Sequence, residues 1–163
     1  MKKILNVQLI RQKKNQTTCG VVSLEMVLAY HGLKKSTENL IDYFDSPRQK
    51  IMYGGGMDHP EIAIAAERLG FEAQEYTDLT FKNLVDFIDK DSPIILRYRP
   101  FLAPRARHFC VLTGYDTNDK KLFINDPNYM LDKKYWLYDK FKKWWNINGK
   151  DKTTNYGVRI RNI

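Results

Sequence analysis

Apolar positions recur at helical spacing from Val21 to His31, and Gly32 supplies the stop that ends the run. Ser36 or Thr37 can cap a short helix carrying Leu40, Ile41, Tyr43 and Phe44. Residues 46–56 contain Pro47 and three consecutive glycines, Gly54, Gly55 and Gly56; they predict a loop whose glycines permit a tight turn. Asp58 and Glu61 have the spacing of a capping box, opening a helix through Ile62, Ala65, Ala66 and Leu69 that stops at Gly70. Residues 71–76 suit a strand. A helix over 81–89 presents Leu84, Val85 and Ile88 before Ser92 and Pro93 break it.

The second half changes period. Residues 94–98 form a short apolar strand, and over 107–115 Phe109, Val111 and Thr113 alternate with His108, Cys110 and Leu112. A turn at 117–120 returns the chain as a partner strand over 121–125, making a hairpin. A last strand over 156–162 alternates Val158 and Ile160 with Arg159 and Arg161. The pattern predicts an α+β fold with amino-terminal helices packed on an antiparallel β-sheet.

Composition narrows the class. A chain of 163 residues, 43% of them hydrophobic, is expected to fold as one domain spanning 1–163. Residues 1–10 begin like a signal peptide, but Asn6 and Gln8 interrupt the apolar part and Arg11 to Lys14 close it early, so a strand is expected there. No apolar run reaches the roughly 18 residues a membrane helix needs. A soluble, cytoplasmic protein without a membrane segment is expected. Only two cysteines occur, far apart, which argues against a disulfide framework or a zinc site.

The net charge of +8 raises nucleic acid as a partner. Many of the basic residues fall at Lys133, Lys134, Lys140, Lys142, Lys143, Lys150, Lys152, Arg159 and Arg161, interleaved with Tyr135, Trp136, Tyr138, Phe141, Trp144 and Trp145. On a helix this pattern is an aromatic core face opposite a basic solvated one, and no recognition motif accompanies it. No nucleic-acid partner is expected.

Candidate chemistry starts at Cys19, which precedes the first helix. Free cysteines more often serve as small buried hydrophobes. A thiol at a helix start, however, sits where unpaired N–H groups and the helix dipole favour thiolate. A nucleophile needs a base and the base an orienting acceptor. The hairpin juxtaposes the start of one strand, His108, with the end of the other, Asp126. His31 is expected to interact as a helix C-terminal cation, His59 to lie in the first turn of a helix, and Cys110 to be packed and unreactive. Gln12 and Gln16 offer side-chain donors for an oxyanion, with the Cys19 N–H as the second, and the choice between them stays open. Gly20 would leave room for substrate backbone.

Residues 12–32, together with the segments 108–116 and 124–127, resemble the nucleophile, histidine and aspartate segments of the bacteriocin-processing, double-glycine leader peptidases. The likeness runs from about residue 5 to 163, with three motifs in order. It implies a papain-like cysteine peptidase fold, with Cys19 as nucleophile, His108 as general base and then acid, Asp126 orienting His108, and Gln12 completing the oxyanion hole. No cofactor is implied. Members commonly cut a leader peptide after Gly-Gly and commonly form the amino-terminal domain of an ATP-driven peptide exporter. This sequence shows no transporter portion, so a stand-alone peptidase acting on a peptide or protein is expected, any exporter being a separate polypeptide. Two further departures are the spacing of Gln12, one residue farther from the cysteine than usual, and Thr18 in place of a common acidic residue. The same triad serves acyltransferases, deamidases and isopeptidases, and a non-catalytic leader-binding module is the reading from a different class.

Overall fold

An almost wholly apolar helix organises the chain. The computed structural model describes residues 1–128, 133–147 and 154–163. In order, the elements are β1 (Lys2–Ile4), α1 (Cys19–Tyr30), α2 (Thr37–Leu40) running into a 3-10 turn (Ile41–Tyr43), α3 (Arg48–Tyr53) and α4 (Glu61–Arg68). There follow β2 (Glu72–Tyr76), α5 (Phe81–Asp89), β3 (Ile94–Tyr98), β4 (His108–Asp116), β5 (Lys121–Asn125), β6 (Tyr135–Leu137), α6 (Tyr138–Trp145) and β7 (Gly157–Arg161). In α1, Val21, Leu24, Met26, Val27 and Leu28 are fully buried. A helix apolar on every side must be covered on every side: β4 and β3 pack against α1, as do α2 and α4.

The strands form one antiparallel sheet in the order β2-β7-β3-β4-β5-β6, with β1 added against the far half of β4. The architecture is the expected one of helices on an antiparallel sheet. One irregularity bears on the site. Val111 pairs with Asn125 and Leu112 with Ile124, but Gly114 pairs with Phe123, so Thr113 is an extra residue in β4. A one-residue bulge exchanges the faces of everything beyond it. In the observed register Asp126, just past Asn125, falls on the face that carries Cys110 and His108. In an unbroken register it would share the face of Val111.

Several expectations need correction. Residues 46–56 are not all loop, since α3 forms there; the Pro47 carbonyl accepts from the Ile51 N–H at 3.1 Å, and fully buried Ile51 anchors the helix. The helix expected from Ser36 breaks into α2 and the 3-10 turn. Only half of the capping box forms: Glu61 Oε2 accepts from the Asp58 N–H at 2.8 Å, while the Asp58 side chain caps nothing and α4 starts at Glu61 itself. Glu61 is instead a tie between helices, accepting from the Ser46 N–H at 2.5 Å and its hydroxyl at 2.7 Å. The aromatic and basic faces do occur on α6, with Phe141 and Trp145 buried and Lys142 and Lys143 exposed. Lys150 and Lys152 lie outside the described residues. Among the described residues no helix is long and apolar enough to cross a membrane.

Gly114 lets β1 close on the bulge. A Cβ there would stand 2.5 Å from the Lys3 carbonyl oxygen and 2.9 Å from the Ile4 Cα, both backbone atoms. Gly114→Ala is therefore expected to cost about 1–3 kcal/mol by displacing β1, as overpacking does. A denaturant titration with an unchanged midpoint would contradict this.

Candidate active site

Cys19 is the first residue of α1, and the chain before it is stapled to the neighbouring helix. The Thr17 N–H donates to the Met52 carbonyl at 2.7 Å, and its hydroxyl donates to the Ile51 carbonyl at 2.9 Å and accepts from the Gly55 N–H at 3.2 Å. Gly55 and Gly56 hold φ of 98° and 96°, a left-handed backbone that glycine adopts without strain. The expected turn thus lies beside Cys19 and supports the backbone leading into it.

His108 opens β4 and faces Asp126. Its Nε2 donates to Asp126 Oδ1 at 2.5 Å, which leaves Nδ1 for Cys19. The Asn128 N–H also donates to Oδ1, at 2.8 Å, and the Tyr98 hydroxyl donates to Oδ2 at 2.7 Å. Asp126 is only 3% exposed, so these donors replace water for a buried carboxylate.

The charges are coupled. Burial pushes the Cys19 thiol up, but the His108 charge, its hydrogen bond and the Phe109 N–H together hold it below the ordinary value of 9.0. Burial alone would lower His108; the Cys19 charge, hydrogen bonds to Asp126 and Cys19, and the Asp126 charge raise it to about 10. The pair favours thiolate and imidazolium.

Gln12 and Gln16 both line the cleft of about 660 Å³ that contains Cys19 and His108. Gln12 Nε2 donates to the Gln16 carbonyl at 2.8 Å and retains a second N–H. A turn with Asn15 at φ 63° links the two glutamines. Gly20 does not open space for substrate, because a Cβ there would lie 2.5 Å from Met57 Sδ and 3.2 Å from the Phe109 ring. Its hydrogen makes room for Met57, which crowds the cleft beside Cys19.

The remaining candidates fall elsewhere. His31 follows the last turn of α1, but its Nε2 donates across to the Ile160 carbonyl at 2.9 Å, and burial lowers its pKa. It is a packed neutral donor rather than the expected cation. His59 lies in the turn ahead of α4, stacks edge-on against Tyr156 at 5.2 Å and approaches Glu75 at 3.9 Å. Cys110 is fully buried, and burial and nearby negative charge push its thiol well above the ordinary value. Among the described residues no group of three His, Cys, Asp or Glu is arranged to hold a metal ion.

Sequence reading missed Tyr98, Met57 and the backbone donors of Phe109 and Asn128. Tyr98 had a signal, since it ends a strand next to the histidine strand, but its apolar neighbours gave it the look of core. The backbone donors leave none.

The Peptidase_C39 like family model matches residues 4–153. Among solved structures, the peptidase domain of Streptococcus ComA, a bi-functional ABC transporter involved in quorum sensing, is 23% identical with a TM-score of 0.74, covering 97% of this chain and 100% of that one. A Bacillus anthracis protein described as a C39-like peptidase is 20% identical with a TM-score of 0.76, covering 100% and 98%. A double glycine motif protease from an AMS/PCAT transporter, solved in complex with the leader peptide, is 22% identical with a TM-score of 0.70, covering 98% and 94%. No curated protein sequence matches. The structural likenesses establish the papain-like fold of C39 peptidase domains, and the family match covers most of the chain: it belongs to the Peptidase_C39 like family.

Proposed function

We propose that this chain is a cysteine peptidase, with residues 1–163 acting as one catalytic domain, that cleaves a peptide after a Gly-Gly pair. The observation that carries the reading is the convergence of Cys19, His108 and Gln12 on one cleft, with His108 held by Asp126 Oδ1 at 2.5 Å. Attack by the Cys19 thiolate on the peptide carbonyl gives a tetrahedral oxyanion, which the Cys19 N–H and Gln12 Nε2 receive. As the carbon–nitrogen bond breaks, imidazolium His108 protonates the leaving amine and an acyl thioester remains on Cys19. Water, deprotonated by His108, then attacks the thioester and releases the carboxylic acid and the thiol. Asp126 holds the imidazole throughout.

The AMS/PCAT relative, a double glycine motif protease, supports this substrate class. A peptide exporter is the partner such a substrate would serve.

A Gly-Gly peptide is expected to be cut after the second glycine and its Ala-Ala counterpart much more slowly; equal rates would remove the Gly-Gly assignment. Cys19→Ala is expected to abolish cleavage, and wild-type turnover by that variant would remove the peptidase reading itself. Loss of one oxyanion donor in Gln12→Ala is expected to lower kcat by about 10²–10³-fold. Gln16→Ala should do far less, and the reverse order would move the donor to Gln16.

The ion pair sets a pH window. Thiolate persists from below pH 9.0, and His108 keeps its proton until about pH 10. Activity should therefore fall on the acid side as Cys19 is protonated and on the alkaline side as His108 loses its proton near pH 10. In His108→Ala, alkylation of Cys19 should move to higher pH. An alkylation profile centred at the ordinary thiol value in both proteins would contradict the coupling.

A further inference from the structure

We infer that Tyr98 is a positioning residue: its hydroxyl locks the carboxylate of Asp126 in the orientation that aims His108 at Cys19. The inference rests on the triad reading above. A carboxylate held through one oxygen can swing about its terminal torsion, which is soft. Asp126 is gripped at both ends, with His108 Nε2 and the Asn128 N–H on Oδ1 and the Tyr98 hydroxyl on Oδ2. Rotation would break at least one of these bonds, and the buried site offers no ready exchange for water.

The sheet register explains why position 98 serves. Tyr98 pairs directly with His108 across β3 and β4. Their rings stand perpendicular with centroids 5.5 Å apart, so Tyr98 also walls the imidazole. Behind it Phe141 packs at 5.5 Å and prevents retreat. A residue needed only for packing would be phenylalanine, because a buried hydroxyl is costly unless bonded; here its bond goes to Asp126. Burial and the negative charge of Asp126 raise the phenol's pKa, so it remains a proton donor throughout the working range.

The test compares wild type with Tyr98→Phe, Asp126→Asn and the double variant. Peptide turnover is expressed per Cys19 titrated with iodoacetamide, and the downfield NMR proton of the His108 ring N–H is followed. Loss of one hydrogen bond to a charged group should reduce kcat about 10- to 100-fold in Tyr98→Phe. KM should stay within about twofold, because the group acts on the chemical step. The His108 resonance should shift or vanish, and adding Tyr98→Phe to Asp126→Asn should cost little more. A full kcat per titrated site with an unmoved resonance would overturn the inference even if thermal stability fell, and so would fully additive losses. Where Tyr98→Phe does not fold, 3-fluorotyrosine at position 98 keeps the ring and hydroxyl while changing the donor's acidity; the resonance must then move, and a stationary one overturns the role. If Asp126→Asn itself retains full turnover, it is the triad reading that fails. If only Tyr98→Phe retains it, that reading stands and this inference falls.

Discussion

Burial of α1 is the constraint on which the rest depends. A helix with no polar face has to be covered all round, and here the sheet and the helices α2 and α4 do so. That packing fixes the helix against β4, the strand that carries His108. Cys19, at the helix start, is thereby held beside an imidazole that lies 89 positions away in sequence, by apolar contacts that have no chemistry of their own.

The His108 and Asp126 side of the cleft depends on a backbone irregularity. With the extra residue Thr113 in β4, Asp126 lies on the same face as His108. Burying that carboxylate would be prohibitive without partners, and among the described residues donors come from a side chain of β3, a ring of β4 and a backbone N–H of the segment after β5. Thiolate and imidazolium then stabilise each other, each reversing the effect of burial on its partner. The site is thus held by three different strands' ends and one helix start, and a small slip of any of them would separate the charges.

Much of this was legible in the chain. The hairpin was readable because its period of two and its turn residues are local signals; that its ends lie near each other followed from them, while the shared face of His108 and Asp126 needed the bulge. The helix α5 was readable because Leu84, Val85 and Ile88 share one face. The short helix α3 was hidden among glycines and a proline, because it forms through the burial of Ile51, a tertiary event. The role of Glu61 was half hidden for a similar reason: its capping bond to Asp58 is local, but its bonds to Ser46 are not. His31 was misread as a cation because burial, a tertiary effect, lowers its pKa even though the Ile160 carbonyl accepts its ring N–H. The bulge and the register that pairs Tyr98 with His108 leave no compositional trace, so the second support of Asp126 emerged only in three dimensions.

The central claim is that Cys19 carries the acyl group during peptide cleavage. Mass spectrometry of acid-quenched turnover, with a Gly-Gly peptide as substrate and the adduct mapped by fragmentation, tests it most directly. The account predicts a thioester on Cys19 whose acyl portion is the part of the peptide that ends in Gly-Gly, with Cys110 unmodified. Cleaved peptide with no thioester on Cys19, produced undiminished by protein whose Cys19 has been fully alkylated beforehand, would contradict it.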